Sequence, residues 1–166
     1  KILALKKLPV RPTTDRAKEA VFNILNHQFS FSDLNVLDLF SGTGNISYEF
    51  ASRGSLKVTS IDKNKSCIDF IKKTSNNLNL DINISHIDAI SYLEQNNSKF
   101  NLIFADPPYD INEQLYNKII FLSRRSLSLN GLLIIEHNKI VNFSDLDGFS
   151  YERKYGNNMF SFFKFK

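Results

Sequence analysis

The chain has 166 residues and a net charge of +4, with 42% hydrophobic and 23% charged residues, which suits one α/β domain over residues 1–166. No run of about 18 apolar residues is available to cross a bilayer, and the start lacks the apolar middle of a signal peptide. One cysteine, Cys67, excludes an internal disulfide and argues against a cysteine-based metal site, an economy that fits a reducing cytoplasm.

Residues 1–13 read as an extended basic segment leading into the domain. Lys1, Lys6, Lys7, Arg11, Arg16 and Lys18 crowd the N-terminal 18 residues against the single acid Asp15, and Arg153, Lys154, Lys164 and Lys166 gather near the other end. This charge permits a polyanionic partner without requiring one. Lys1 stands where a Met would, so an N-terminal extension is expected to be missing.

Thr14 or Asp15 then caps a helix whose stripe Ala17, Ala20, Val21, Ile24, Leu25 has the spacing of a face laid on a core. Strands and helices alternate from there. Val36 to Phe40 is a short strand, and Ile46 to Arg53 a helix closed by Gly54. Leu56 to Asp62 is a second strand, followed by a helix from Asn64 to Leu78. Ile82 to Asp88 is a third, with a short helix near Ile90 to Leu93. Leu102 to Ala105 is a fourth, stopped by Pro107 and Pro108. A helix over Glu113 to Leu127 leads to a fifth strand, Leu132 to Glu136, entered by Asn130-Gly131. Tyr151 to Tyr155 and Met159 to Phe165 flank a Gly-Asn-Asn turn as an antiparallel hairpin. Such alternation predicts a mainly parallel sheet with helices on both faces.

Four signals fall at strand ends, where open parallel sheets bind ligands. Asp38-Leu-Phe-Ser41-Gly42-Thr43-Gly44 joins the first strand to a helix. Its glycines let the backbone approach a bulky ligand, and Asp38 can fix the turn or attract an ammonium group. A dinucleotide fingerprint would place a third glycine where Ser47 stands, and no Gly-Lys-Ser/Thr follows for a phosphate loop. Asp62, followed by Lys63, ends the second strand about 20 residues past the glycines, the place of a ribose-binding acid. Asp88, followed by Ala89, is a candidate acceptor for an adenine amino group, or simply a helix cap.

The fourth signal is Asp106-Pro107-Pro108-Tyr109 after the apolar Leu-Ile-Phe-Ala. An aromatic amine is a poor nucleophile because its lone pair is delocalised into the ring. The Asp106 carboxylate and the Pro107 carbonyl can accept its two N–H bonds and draw the nitrogen out of plane. Two prolines hold those acceptors, and Tyr109 offers a face for the base. His27, His86 and His137 lack metal-ligand spacing, so no metal is expected. Cys67 lies within a helix, and Glu136 reads as a sheet-end acid.

Arg11-Pro-Thr13-Thr-Asp-Arg16, followed by Glu19-Ala-Val-Phe-Asn-Ile-Leu25, then Asp38 to Gly44 and Asp106 to Tyr109, together resemble the RsmD family. These are bacterial methyltransferases specific for a guanine N2 amino group of 16S ribosomal RNA. The Arg-Pro-Thr segment discriminates, since the other two motifs are shared by many amino-methylating enzymes.

The resemblance implies a class I, Rossmann-like fold with a seven-stranded sheet ending in the antiparallel hairpin. It implies S-adenosylmethionine (S-adenosyl-L-methionine) at Asp38, Ser41, Gly42, Thr43, Gly44, Asp62, Lys63, Asp88 and Ala89. The target amine falls at Asp106, Pro107 and Tyr109, and RNA contacts at Arg11, Thr13 and Arg16. The implied partner is 16S rRNA or a small-subunit assembly particle, met by a monomer. Ser47 departs from a glycine common in the family. The same Asp-Pro-Pro-Tyr would also serve a DNA adenine or protein amide N-methyltransferase. A non-catalytic RNA-binding or assembly module that kept the fold is the alternative of another class.

Overall fold

A computed structural model describes residues 15–108 and 110–165. Arg11, Thr13 and Tyr109 therefore lie outside the described residues. The elements are α1 (Asp15–Gln28), β1 (Asn35–Leu39), α2 (Asn45–Ser52), β2 (Lys57–Asp62), α3 (Lys65–Asn77), β3 (Asn83–His86), α4 (Ala89–Gln95), β4 (Phe100–Ala105), α5 (Glu113–Ser126), β5 (Leu127–Asn138), β6 (Phe149–Tyr155) and β7 (Asn158–Lys164).

The strands form one seven-stranded sheet in the order β3-β2-β1-β4-β5-β7-β6. The first five run parallel, and β7 inserts antiparallel between β5 and β6. Order reverses between β1 and β4, so the crevice at their carboxyl ends is the topological switch point of the sheet.

Alternation along the strands sends side chains to two cores. On one face Val36, Val58, Leu102, Phe104, Leu132 and Ile134 meet α1 and α2. On the other, Leu37, Leu39, Ile103, Ala105, Leu133 and Ile135 meet α4 and α5. Each helix exists because it has a face to bury there. The α1 stripe buries Ala17, Val21, Phe22 and Leu25, while Ala20 and Ile24 are half-buried. Phe22 stacks with Phe31 and tilts against Phe50, and the Arg53 guanidinium lies 5.0 Å from the Phe22 ring centroid. A Lys18–Glu49 ion pair at 3.2 Å also joins α1 to α2. This packing lays α1 on the sheet.

The fifth strand is longer than its hydrophobic run implied. It begins at Leu127, which pairs with Phe100, and the pairing resumes at Leu132 with Leu102, leaving a bulge between. Asn130 takes a left-handed conformation at φ 60° within the bulge, which lets the strand restart in register. What reads as a turn before a strand is therefore an irregularity inside one.

Candidate active site

The β1–α2 loop turns by means of left-handed residues. Phe40 has φ 59°, Gly42 φ 52° and Gly44 φ 81°. A bulky residue is uncommon there, so Phe40 marks local strain of the kind held at functional sites. Gly44 has no room for a side chain: a Cβ would lie 2.8 Å from Tyr48 Cζ and 2.9 Å from Ile71 Cγ1. The loop is pinned to the neighbouring strand, because the Ser41 N–H and hydroxyl both donate to the Ile61 carbonyl, at 2.9 and 3.0 Å. Thr43 is buried.

Asp62 clasps this loop. One carboxylate oxygen accepts the Gly42 N–H at 2.8 Å, and the other accepts the Asn64 N–H at 2.7 Å. A carboxylate has about four lone-pair sites, so each oxygen keeps acceptor capacity for a ligand hydroxyl. The residues present thus fit a ribose: a fixed, half-buried acid stands beside a glycine loop. Lys63 is exposed, and its carbonyl is engaged by the His86 ring at 3.0 Å.

Asp38 sits differently. It is 1% exposed and accepts a hydrogen bond from Ser47 Oγ at 2.5 Å. Ser47 is in turn bonded to Ser60, directly across the β1–β2 register from Asp38. Burial pushes the Asp38 carboxyl up to about 7, against the lowering effect of the Ser47 bonds. The arrangement makes Asp38 a brace between β1 and α2. A glycine at 47 would leave that buried carboxyl without its donor, so the serine belongs to a small polar network that includes Ser60.

Asp88 caps α4, accepting from the Ile90 and Ser91 N–H groups through one oxygen, at 3.0 and 3.1 Å. Its carboxylate is exposed at the edge formed by β3, with Ala89 buried beneath. The cap is what the geometry shows, and the second oxygen takes no part in it.

Asp106 follows the last residue of β4. Leu39 and Ala105 are register partners, and the Asp106 N–H reaches the Leu39 carbonyl at 3.4 Å. That bond holds the start of the Pro-Pro turn beside the glycine loop. Asp106 is half-buried, Pro107 buried and Pro108 exposed, with the Pro108 carbonyl accepting from Ile111 at 3.3 Å. Arg16 is exposed in the first turn of α1. Asp38, Asp62, Asp88 and Asp106 thus come from β1, β2, the β3–α4 junction and the end of β4, along one edge of the sheet.

Sequence reasoning missed Ser60 and the left-handed Phe40. Ser60 lies inside an apolar-looking strand, and nothing in its pattern signals a polar partner. Among the described residues no group of three His, Cys, Asp or Glu side chains could hold a metal ion. No described helix is long and apolar enough to cross a membrane.

A family model described as conserved hypothetical protein 95 matches residues 1–164. The chain is 32% identical over 146 residues to ribosomal RNA small subunit methyltransferase D of Haemophilus influenzae, covering 81% of this chain and 74% of the relative. Among solved structures it is similar to a putative methylase from Haemophilus influenzae, with TM-score 0.76, 26% identity and coverage of 90% and 96%. It also shares its fold with a Thermus thermophilus 16S rRNA N2 G1207 methyltransferase solved with AdoMet and guanosine. There the TM-score is 0.79 at 16% identity, covering 96% of this chain and 45% of the other.

Proposed function

Because the chain belongs to the RsmD family, we propose that it transfers a methyl group from S-adenosylmethionine to the exocyclic N2 amine of a guanine in small-subunit ribosomal RNA. The observation that carries the reading is the Asp106-Pro107 turn, fixed by its backbone bond to Leu39 beside the glycine loop clasped by Asp62. The name of the Haemophilus relative supports rRNA as the substrate.

Bound S-adenosylmethionine would supply an electrophilic methyl on a sulfonium and be left as a thioether. Asp62 would accept the ribose hydroxyls, each charged hydrogen bond contributing on the order of 1.5–3 kcal/mol. Gly42 and Gly44 give the loop its left-handed turns beside that ligand, and Asp38 braces the loop from behind. Asp88 offers its remaining oxygen to an adenine amino group.

The target base must leave its stack to reach acceptors at the strand ends. Asp106 and the Pro107 carbonyl accept the two N–H bonds of the amine, and Tyr109 gives the base a stacking face. As the N–C bond forms, the nitrogen loses one proton, for which the Asp106 carboxylate is the nearby acceptor. Orientation and charge placement carry the catalysis, without a strong base. Arg11, Thr13 and Arg16 are the proposed RNA contacts.

Incubation with small-subunit RNA or assembly particles and methyl-labelled cofactor, followed by nucleoside mapping, tests the proposal. Label in N2-methylguanosine is the expected result. Label confined to another nucleoside, or to DNA adenine or protein amide, would overturn it.

A further inference from the structure

Tyr116, in the first turn of α5, is 1% exposed, and its hydroxyl has no hydrogen-bond partner among the described residues. A buried hydroxyl left unpaired destabilises the fold that holds it, so such a group calls for a cause. Phenylalanine would fill the same volume and make the same edge contact to Phe143, whose ring centroid lies 5.3 Å away. Packing therefore explains the ring but not the oxygen.

The ring belongs to the core cluster of Leu39, Ala105 and Ile135, the residues that end or nearly end β1, β4 and β5. Asp106 follows Ala105 directly, and α5 is the helix to which the Asp106–Asn112 loop returns. Burial raises the Tyr116 hydroxyl to about 12, and the Asp106 charge adds to that rise. The phenol thus stays protonated and lies within the field of the one carboxylate that the proposed reaction uses.

We propose that Tyr116 is a positioning residue whose hydroxyl donates to the Asp106 carboxylate once the base is seated, so that the carboxylate keeps an oxygen aimed at the amine. The inference rests on Asp106 being the amine acceptor. In the seated state the hydroxyl gains the partner it lacks, and the carboxylate loses rotational freedom. The contribution then appears in the reacting complex rather than in the folded chain alone.

Tyr116→Phe separates the two roles. Removing an unpaired buried hydroxyl should leave Tm unchanged or raise it. Cofactor affinity by calorimetry and KM for RNA should stay the same, while kcat falls about tenfold or more, as for a lost charged hydrogen bond. An unchanged kcat would overturn the proposal. So would a loss of kcat that travels with a lower Tm or a raised KM, which marks a packing role. Asp106→Ala run alongside tells the failures apart: if that variant is active, the amine-acceptor reading falls and takes this one with it. If it is inactive while Tyr116→Phe matches the parent, only the Tyr116 assignment falls.

Discussion

Asp38 keeps a proton in the folded chain up to about pH 7, because burial outweighs the Ser47 hydrogen bonds. Unfolded, it would release that proton near pH 4. Between those values the folded chain binds a proton that the unfolded chain has lost, so this group's contribution to stability falls as pH rises and levels off above 7. Asp38→Asn lacks the titration. Its Tm relative to the parent should therefore climb from pH 4.5 to 7.5 in thermal melts, and parallel curves would contradict the assignment. Asp62 accepts the Gly42 and Asn64 N–H groups and is the proposed acceptor for the cofactor ribose. Asp62→Ala should weaken cofactor binding about tenfold or more in calorimetry, one charged hydrogen bond being worth that much. Unchanged affinity would remove Asp62 from the site. Both acids were legible in the sequence because Asp62 ends an apolar strand and Asp38 interrupts one just before the glycine loop. Ser60 and Tyr116 were not, since a polar atom's partner, or its lack of one, depends on a neighbouring element that periodicity does not reveal.

At the scale of elements, local chemistry sets most boundaries. Asn64 accepts from the Ser66 and Cys67 N–H groups and starts α3, Asp88 starts α4, and Asn112 starts α5. Asn64→Ala should cost about 1 kcal/mol and lower Tm by roughly 2–4 °C, with the fold intact by circular dichroism. The β1–α2 loop is less forgiving. Gly44→Ala meets Tyr48 and Ile71 and must also hold φ 81°, so a loss of more than about 1 kcal/mol is expected. Thermal melts check that figure, and a Tm equal to the parent's would contradict it. Helix starts were readable because capping is a short-range effect. The start of β5 was not, because Leu127 joins the sheet through Phe100 on another strand while Asn130-Gly131 locally resembles a hairpin turn.

For the whole molecule, alternation of strand and helix implied the parallel sheet, and the two strands flanking the Gly156 turn implied the final hairpin; the strand pairing bears both out. Alternation alone does not say that β7 lies inside β6, since either strand of a hairpin can be the inner one. Phe160, Phe162 and Phe163 are buried, whereas Glu152, Arg153 and Lys154 are exposed, so the more apolar strand takes the inner place. The sheet order also brings the ends of β1 and β4 together, and with them the loop of Gly42 and the turn of Asp106. The account's central claim is that Asp106 and Pro107 hold a guanine amine at that junction. A crystal structure with S-adenosylhomocysteine and guanosine measures this directly. The account predicts the amine nitrogen within about 3–3.5 Å of a carboxylate oxygen of Asp106 and of the Pro107 carbonyl, on the side facing the thioether sulfur. Both oxygens turned away from the amine, with the base held elsewhere, would contradict it.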